Sequence, residues 1–110
     1  MNQPSPQTPT SFPADSPFVY RSGNLYCEDV SLAAVAAAAG TPVYVYSRAE
    51  ILSRARTFVA TAAEVVANSL VCYAVKANGN VHLLRLLGEA GLGADVTSGG
   101  ELFLTQQAGI

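Results

Sequence analysis

Lysine is almost absent from this chain. Among 110 residues there is one, Lys76, and the other five basic residues are arginines. Tryptophan is missing, methionine occurs once, and charged residues make up only 13%. The net charge is −2, and the six basic side chains are scattered rather than striped, which argues against a nucleic-acid surface. The two cysteines, Cys27 and Cys72, lie far apart and show no metal spacing. That usage suits a reduced, cytoplasmic protein better than a disulfide framework. No apolar run is long enough to span a membrane, and the first residues lack the charged start and apolar centre of a secretory leader.

Apolar surface, by contrast, is plentiful. Half the residues are hydrophobic, which is rich for a short chain, because small domains have proportionally more surface to cover. The composition suits a piece of a larger α/β body. Residues 1–17 are the exception: they carry Gln, Ser, Thr and five of the six prolines. Such a segment buries little and reads as a disordered tail.

Short strands are expected at Phe18-Val19-Tyr20-Arg21 and Asn24-Leu25-Tyr26-Cys27-Glu28, joined as a hairpin around Ser22-Gly23-Asn24. Ser31 can cap an Ala-rich helix that runs to Ala39 and closes at Gly40. Thr41-Pro42 then opens an expected strand, Val43-Tyr44-Val45-Tyr46. Ser47-Arg48-Ala49-Glu50 has the form of a capping box. Ile51, Leu52, Ala55, Phe58, Val59 and Ala62 behind it recur on one helical face. Residues 70–75 form an unbroken apolar run of strand length, as in a strand buried on both faces of a parallel sheet. Asn80 can cap a further helix with Val81, Leu84 and Leu87 as its buried stripe. His82 in its first turn reads as a surface residue, since no metal partner lies near it in sequence. Ala94-Asp95-Val96-Thr97 is a short strand. Ser98-Gly99-Gly100-Glu101 is a second capping box, before a helix with Leu102, Leu104 and Ala108 inward.

From Val43 onward the order is strand–helix, three times over. That alternation predicts parallel strands with crossover helices, either a (β/α) barrel or an open doubly wound sheet. In both, chemistry gathers at the C-terminal ends of the strands. Lys76 stands at such an end, and so do Asp95 and the Thr97–Gly100 turn. Many strands end in a lysine whose head merely reaches water. Yet lysine is also the side chain that adds to carbonyls, and arginine cannot replace it there. If burial accompanies that position, the amine's pKa should fall. Gly91-Leu92-Gly93 precedes a strand rather than following one, so it is no dinucleotide fingerprint.

Tyr73-Ala74-Val75-Lys76-Ala77-Asn78 resembles the cofactor-lysine motif of the fold-type III, alanine-racemase-like pyridoxal-phosphate decarboxylases, and among them the diaminopimelate decarboxylases most. Gly40-Thr41-Pro42-Val43-Tyr44-Val45-Tyr46, the run from Gly93 to Leu102, and Phe18 with Tyr20-Arg21 and Leu25-Tyr26 resemble the same family, in order and at sensible spacing. Alanine racemases fit less well at the run after the lysine. The resemblance implies an α/β fold: residues 47–110 as the start of a pyridoxal-phosphate-binding (β/α)8 barrel, and residues 18–46 as strands of a β-rich second domain. It makes Lys76 similar to the lysine that holds pyridoxal phosphate covalently, and Asp95 similar to the family's aspartate beside it. It implies decarboxylation of meso-diaminopimelate to L-lysine, with ornithine, arginine or carboxynorspermidine decarboxylases and a non-catalytic regulator as the alternatives. It also implies an amino-acid substrate and a homodimer in the full-length parent, with no nucleic acid and no membrane. The groups by which the family holds the cofactor phosphate and ring have no counterpart here, and Cys27 does not match its partner-subunit cysteine. A complete barrel needs on the order of 250 residues, so a truncated chain, inactive alone, is the expectation.

Overall fold

The computed structural model describes residues 12–110. The chain divides into two compact units, between Val45 and Tyr46. Residues 1–11 of the expected tail lie outside the described residues.

The first unit is a three-stranded antiparallel sheet with one helix. Strands β1 (Phe18–Arg21) and β2 (Asn24–Cys27) pair with Arg21 opposite Asn24, so Ser22 and Gly23 alone form the loop. Both have positive φ, 49° and 81°, as the type I′ turn requires to match the right-handed twist of the strands. Arg21 braces the hairpin. Its guanidinium donates to the Glu28 carbonyl at 3.0 Å and to Asp29 at 3.1 Å, and lies 4.9 Å from the centre of the Tyr26 ring. Strand β3 (Val30–Ser31) continues the sheet from β2 and runs into α1 (Leu32–Ala39). Ser31 stands at the cap position as expected but makes no side-chain capping bond; it sits in the ladder opposite Tyr26 instead. Residues 12–17 are tied to the hairpin: Phe12 packs against Phe18 and Tyr20, and the Pro17 carbonyl accepts from Glu28 N–H at 2.7 Å.

The expected strand at Val43-Tyr44-Val45-Tyr46 does not form. These residues are β-branched and aromatic, but a strand is defined by its pairing, and no ladder partner exists for them among the described residues. Tyr44 is left 89% exposed.

The second unit begins with α2 (Arg48–Val65). Ser47 caps it, its hydroxyl accepting from Glu50 N–H at 3.0 Å. Strand β4 (Cys72–Ala74) follows, then a single 3₁₀ turn over Val75–Ala77. Helix α3 (Val81–Glu89) crosses to strand β5 (Gly93–Asp95), and α4 (Gly99–Ala108) closes the unit. Strands β4 and β5 are parallel, with Cys72 opposite Gly93, Tyr73 opposite Ala94 and Ala74 opposite Asp95. A strand–helix–strand crossover in this order is what joining parallel neighbours requires.

One face of this two-stranded sheet is covered. Val75 (1% exposed), Leu84 (0%) and Ala108 form the core, with Tyr73, Val81, Ala94, Val96 and Leu104 packed around them. The α3 stripe read from the sequence is thus inward. The strand residues of opposite parity, Cys72 and Asp95, are exposed, as is Leu70 just ahead of β4 at 68%. The expectation of a six-residue strand buried on both faces is therefore corrected: β4 is shorter, and only its helix side is covered. Two further readings shift. In α2, Leu52 and Ala55 are buried, but Phe58 is 69% exposed beside an apolar groove of about 410 Å³ between α2 and α3. In α4, Leu102 is exposed, and Thr105 with Ala108 faces inward. The Thr105 hydroxyl satisfies itself on the Glu101 carbonyl at 2.9 Å, which is how a polar residue enters that face without an unpaired group.

Replacing Leu84 with Ala should cost about 2–5 kcal/mol of stability, read by denaturant unfolding, because the side chain has no solvent-facing surface to lose. Cys27 is buried. Burial first, and the Glu28 carboxylate second, push its thiol above the ordinary range. A thiol reagent at mildly alkaline pH should therefore modify Cys27 only after denaturation, which peptide mapping of the labelled protein checks.

Candidate functional site

The parallel ladder brings two chemically capable side chains to the same end of the sheet. Asp95 is the last residue of β5 and pairs with Ala74, the last of β4. Lys76 follows two residues beyond Ala74, inside the Val75–Ala77 turn. Val75 points into the core and anchors the turn, while its neighbour Lys76 is exposed. Burial of the amine, the condition on which a lowered pKa depends, is not met within the described residues. Lys76 lies two residues beyond Ala74, the partner of Asp95; the two form no ion pair, and both residues are exposed.

Each strand end is held by local bonds that the sequence dictates. After β4, the Tyr73 hydroxyl donates to the Asn78 carbonyl at 3.4 Å, and Asn78 Oδ1 accepts from Asn80 N–H at 3.0 Å. Asn80 caps α3, its Oδ1 accepting from His82 N–H at 2.9 Å and Leu83 N–H at 3.4 Å. After β5, the Ser98 hydroxyl accepts from Glu101 N–H at 3.2 Å, half of the predicted capping box. The Glu101 carboxylate reaches one residue further back than predicted, to Thr97 N–H at 2.7 Å and the Thr97 hydroxyl at 3.1 Å. It clamps the turn that begins two residues after Asp95.

Close approach explains Gly93. A Cβ there would lie 3.0 Å from Cys72 Sγ and 3.3 Å from a Leu70 methyl. Leu70, Cys72 and Gly93 therefore share the uncovered face, the face that the ladder also assigns to Ala74 and Asp95. His82 is exposed, as expected, and borders a groove of about 230 Å³ with Arg48, Asn78 and Asn80. Among the described residues no group of His, Cys, Asp and Glu could hold a metal ion, and no helix is long and apolar enough to cross a membrane. The sequence reading leaves Tyr73 and Asn78 without a role of their own, and gives Glu101 that of a capping residue only. The Glu three places after a capping serine was the one available signal; the Tyr73–Asn78 bond had none, because it depends on the turn between them.

A parallel strand pair with a crossover helix, and with Lys76 and Asp95 near its carboxyl end, is a strand–helix–strand unit of the α/β class. The comparisons with known proteins make the assignment definite. Residues 48–110 match the family described as pyridoxal-dependent decarboxylase, pyridoxal binding domain, and the chain belongs to that family. It is 50% identical over 91 residues to a diaminopimelate decarboxylase of Aquifex aeolicus, covering 83% of this chain and 21% of that one. It is 51% identical over 92 residues to one from Pseudomonas fluorescens, covering 84% and 22%. Among solved structures, a diaminopimelate decarboxylase from M. jannaschii in complex with L-lysine superposes with a TM-score of 0.73 at 31% identity, covering 87% of this chain and 23% of that one. A crystal structure from Aquifex aeolicus gives 0.70 at 47% identity, covering 84% and 22%. The chain thus spans about a fifth of the length of these relatives.

Glu101→Ala should loosen the turn after β5 and lower stability by about 1 kcal/mol, the usual cost of a lost helix cap. Thermal unfolding beside the wild type checks it.

Proposed function

We propose that residues 47–110 are the first part of a pyridoxal-phosphate-binding barrel, in an enzyme that decarboxylates meso-diaminopimelate to L-lysine. The observation that carries this reading is the ladder. It sets Asp95 at the end of β5 beside the strand end from which Lys76 projects. The names of the relatives support the substrate, since those of 42–51% identity are called diaminopimelate decarboxylases. The remaining four fifths of such a protein, the homodimer, and the cytoplasmic setting belong to the same proposal.

The residues present fit the covalent part of the cofactor's needs. Lys76 offers an exposed primary amine without an ion-pair partner among the described residues, and Asp95 offers a carboxylate at the neighbouring strand end. Lys76 would hold pyridoxal phosphate. When bound, that group supplies an electron sink for the bond that breaks at the substrate's α-carbon. The free-base amine of Lys76 is the nucleophile toward a carbonyl carbon. The Asp95 carboxylate favours the protonated state of a neighbouring nitrogen and holds that proton close to the site. The clamp from Glu101 to Thr97 fixes the backbone that follows Asp95. No group in this stretch is assigned to the cofactor phosphate.

Borohydride reduction of the natural full-length form with pyridoxal phosphate, followed by peptide mapping, should place the label on Lys76. Lys76→Ala should abolish CO2 release from meso-diaminopimelate. Label on another residue, or release from ornithine or arginine in preference, would overturn the assignment of residue or of substrate respectively.

A further inference from the structure

The run Tyr73-Ala74-Val75-Lys76-Ala77-Asn78 carries three polar side chains, and only Lys76 has a role so far. Tyr73 lies on the covered face of β4, packed against the core of Val75, Leu84 and Ala108. Its hydroxyl donates to the Asn78 carbonyl at 3.4 Å, so this contact spans the turn that holds Lys76. Asn78 carries the connection onward: its Oδ1 accepts from Asn80 N–H, and Asn80 Oδ1 accepts from the first amides of α3. A continuous line of hydrogen bonds therefore runs from β4, around Lys76, into α3. The chain passes close to α4 here: a Cβ on Gly79 would lie 3.1 Å from Leu104 Cδ1. Lys76 itself has no comparable restraint. Its side chain is long, exposed and without an ion-pair partner among the described residues. Within the described residues, the place of the amine is set by the backbone that carries it.

We propose that Tyr73 and Asn78 are positioning residues for Lys76: the phenol and the carboxamide bracket the turn and hold the lysine Cα at the open end of the sheet. The inference rests on the reading of Lys76 as the cofactor lysine. Reactions of a tethered nucleophile depend steeply on placement, and displacements on the order of 1 Å are costly. Burial pushes the Tyr73 hydroxyl pKa up, which keeps it a proton donor throughout the neutral range. Tyr73→Phe retains the packed ring and removes only that donor. Asn78→Ala removes the forward link to Asn80.

The test uses the natural full-length form, freed of cofactor and titrated with pyridoxal phosphate. Tyr73→Phe and Asn78→Ala should each raise the Kd for the cofactor by about threefold to tenfold, the scale of one net hydrogen bond. They should also shift the pH dependence of the bound cofactor's visible absorption. Leu52→Ala, a buried change on α2, is the control; it should lower the melting temperature more than Tyr73→Phe while leaving Kd and the absorption profile as in wild type. Wild-type affinity and pH profile in Tyr73→Phe and Asn78→Ala would overturn the proposal. So would an equal loss of affinity in Leu52→Ala, which would mark the effect as mere destabilisation. Borohydride mapping of the wild type separates the two levels. Label on Lys76 with unaltered variants defeats only the positioning role, whereas label elsewhere defeats the Lys76 reading and this inference with it.

Discussion

The parallel pairing of β4 with β5 is the constraint on which the second unit depends. Two strands running the same way cannot be joined by a tight turn. The chain must cross back over the sheet, and α3 is that crossing. Val81 and Leu84 of that helix then pack on the sheet face that already presents Tyr73, Val75, Ala94 and Val96, while Leu83 and Leu87 turn toward α2. Because side chains alternate, covering that face consigns Leu70, Cys72 and Asp95 to the other. The register does the rest: with Ala74 opposite Asp95, both strands finish level, and whatever follows them emerges at one edge. The site's geometry is thus a consequence of connectivity and alternation, before any property of Lys76 is considered.

Local chemistry was legible in the sequence wherever it is local in space. Ser47, Asn80 and Ser98 each cap the helix they precede, because a cap needs only its own next three residues. The Ser22-Gly23 turn and the leucine stripe of α3 are of the same kind. The single lysine at the end of an apolar run stood out for a comparable reason: its position follows from the strand that carries it. What failed to be legible depends on partners distant in sequence or missing from it. Val43-Tyr44-Val45-Tyr46 has strand-forming residues without a ladder to join. The run 70–75 has the composition of a doubly covered strand but only one cover. On α4, periodicity chose Leu102, whereas packing chose Thr105, whose hydroxyl is satisfied within its own helix. Glu101 was read correctly as a capping residue and wrongly as to its target, since one residue of offset decides which amide it meets.

Leu70 lies on the bare sheet face, and Phe58 borders the groove between α2 and α3. A two-stranded sheet with both edges open and one face bare is at the margin of independent stability. The proposed function divides into two requirements that differ physically. Position is met within these residues: the ladder, the Val75 anchor and the Tyr73–Asn78 bracket fix where Lys76 starts. Environment is not, because an amine in open solvent keeps its hydration. Lowering an amine's pKa by burial requires removing water from around the charged form, and only added protein surface can do that. Placement by the ladder and shelter from water are thus separate demands of the proposed role of Lys76.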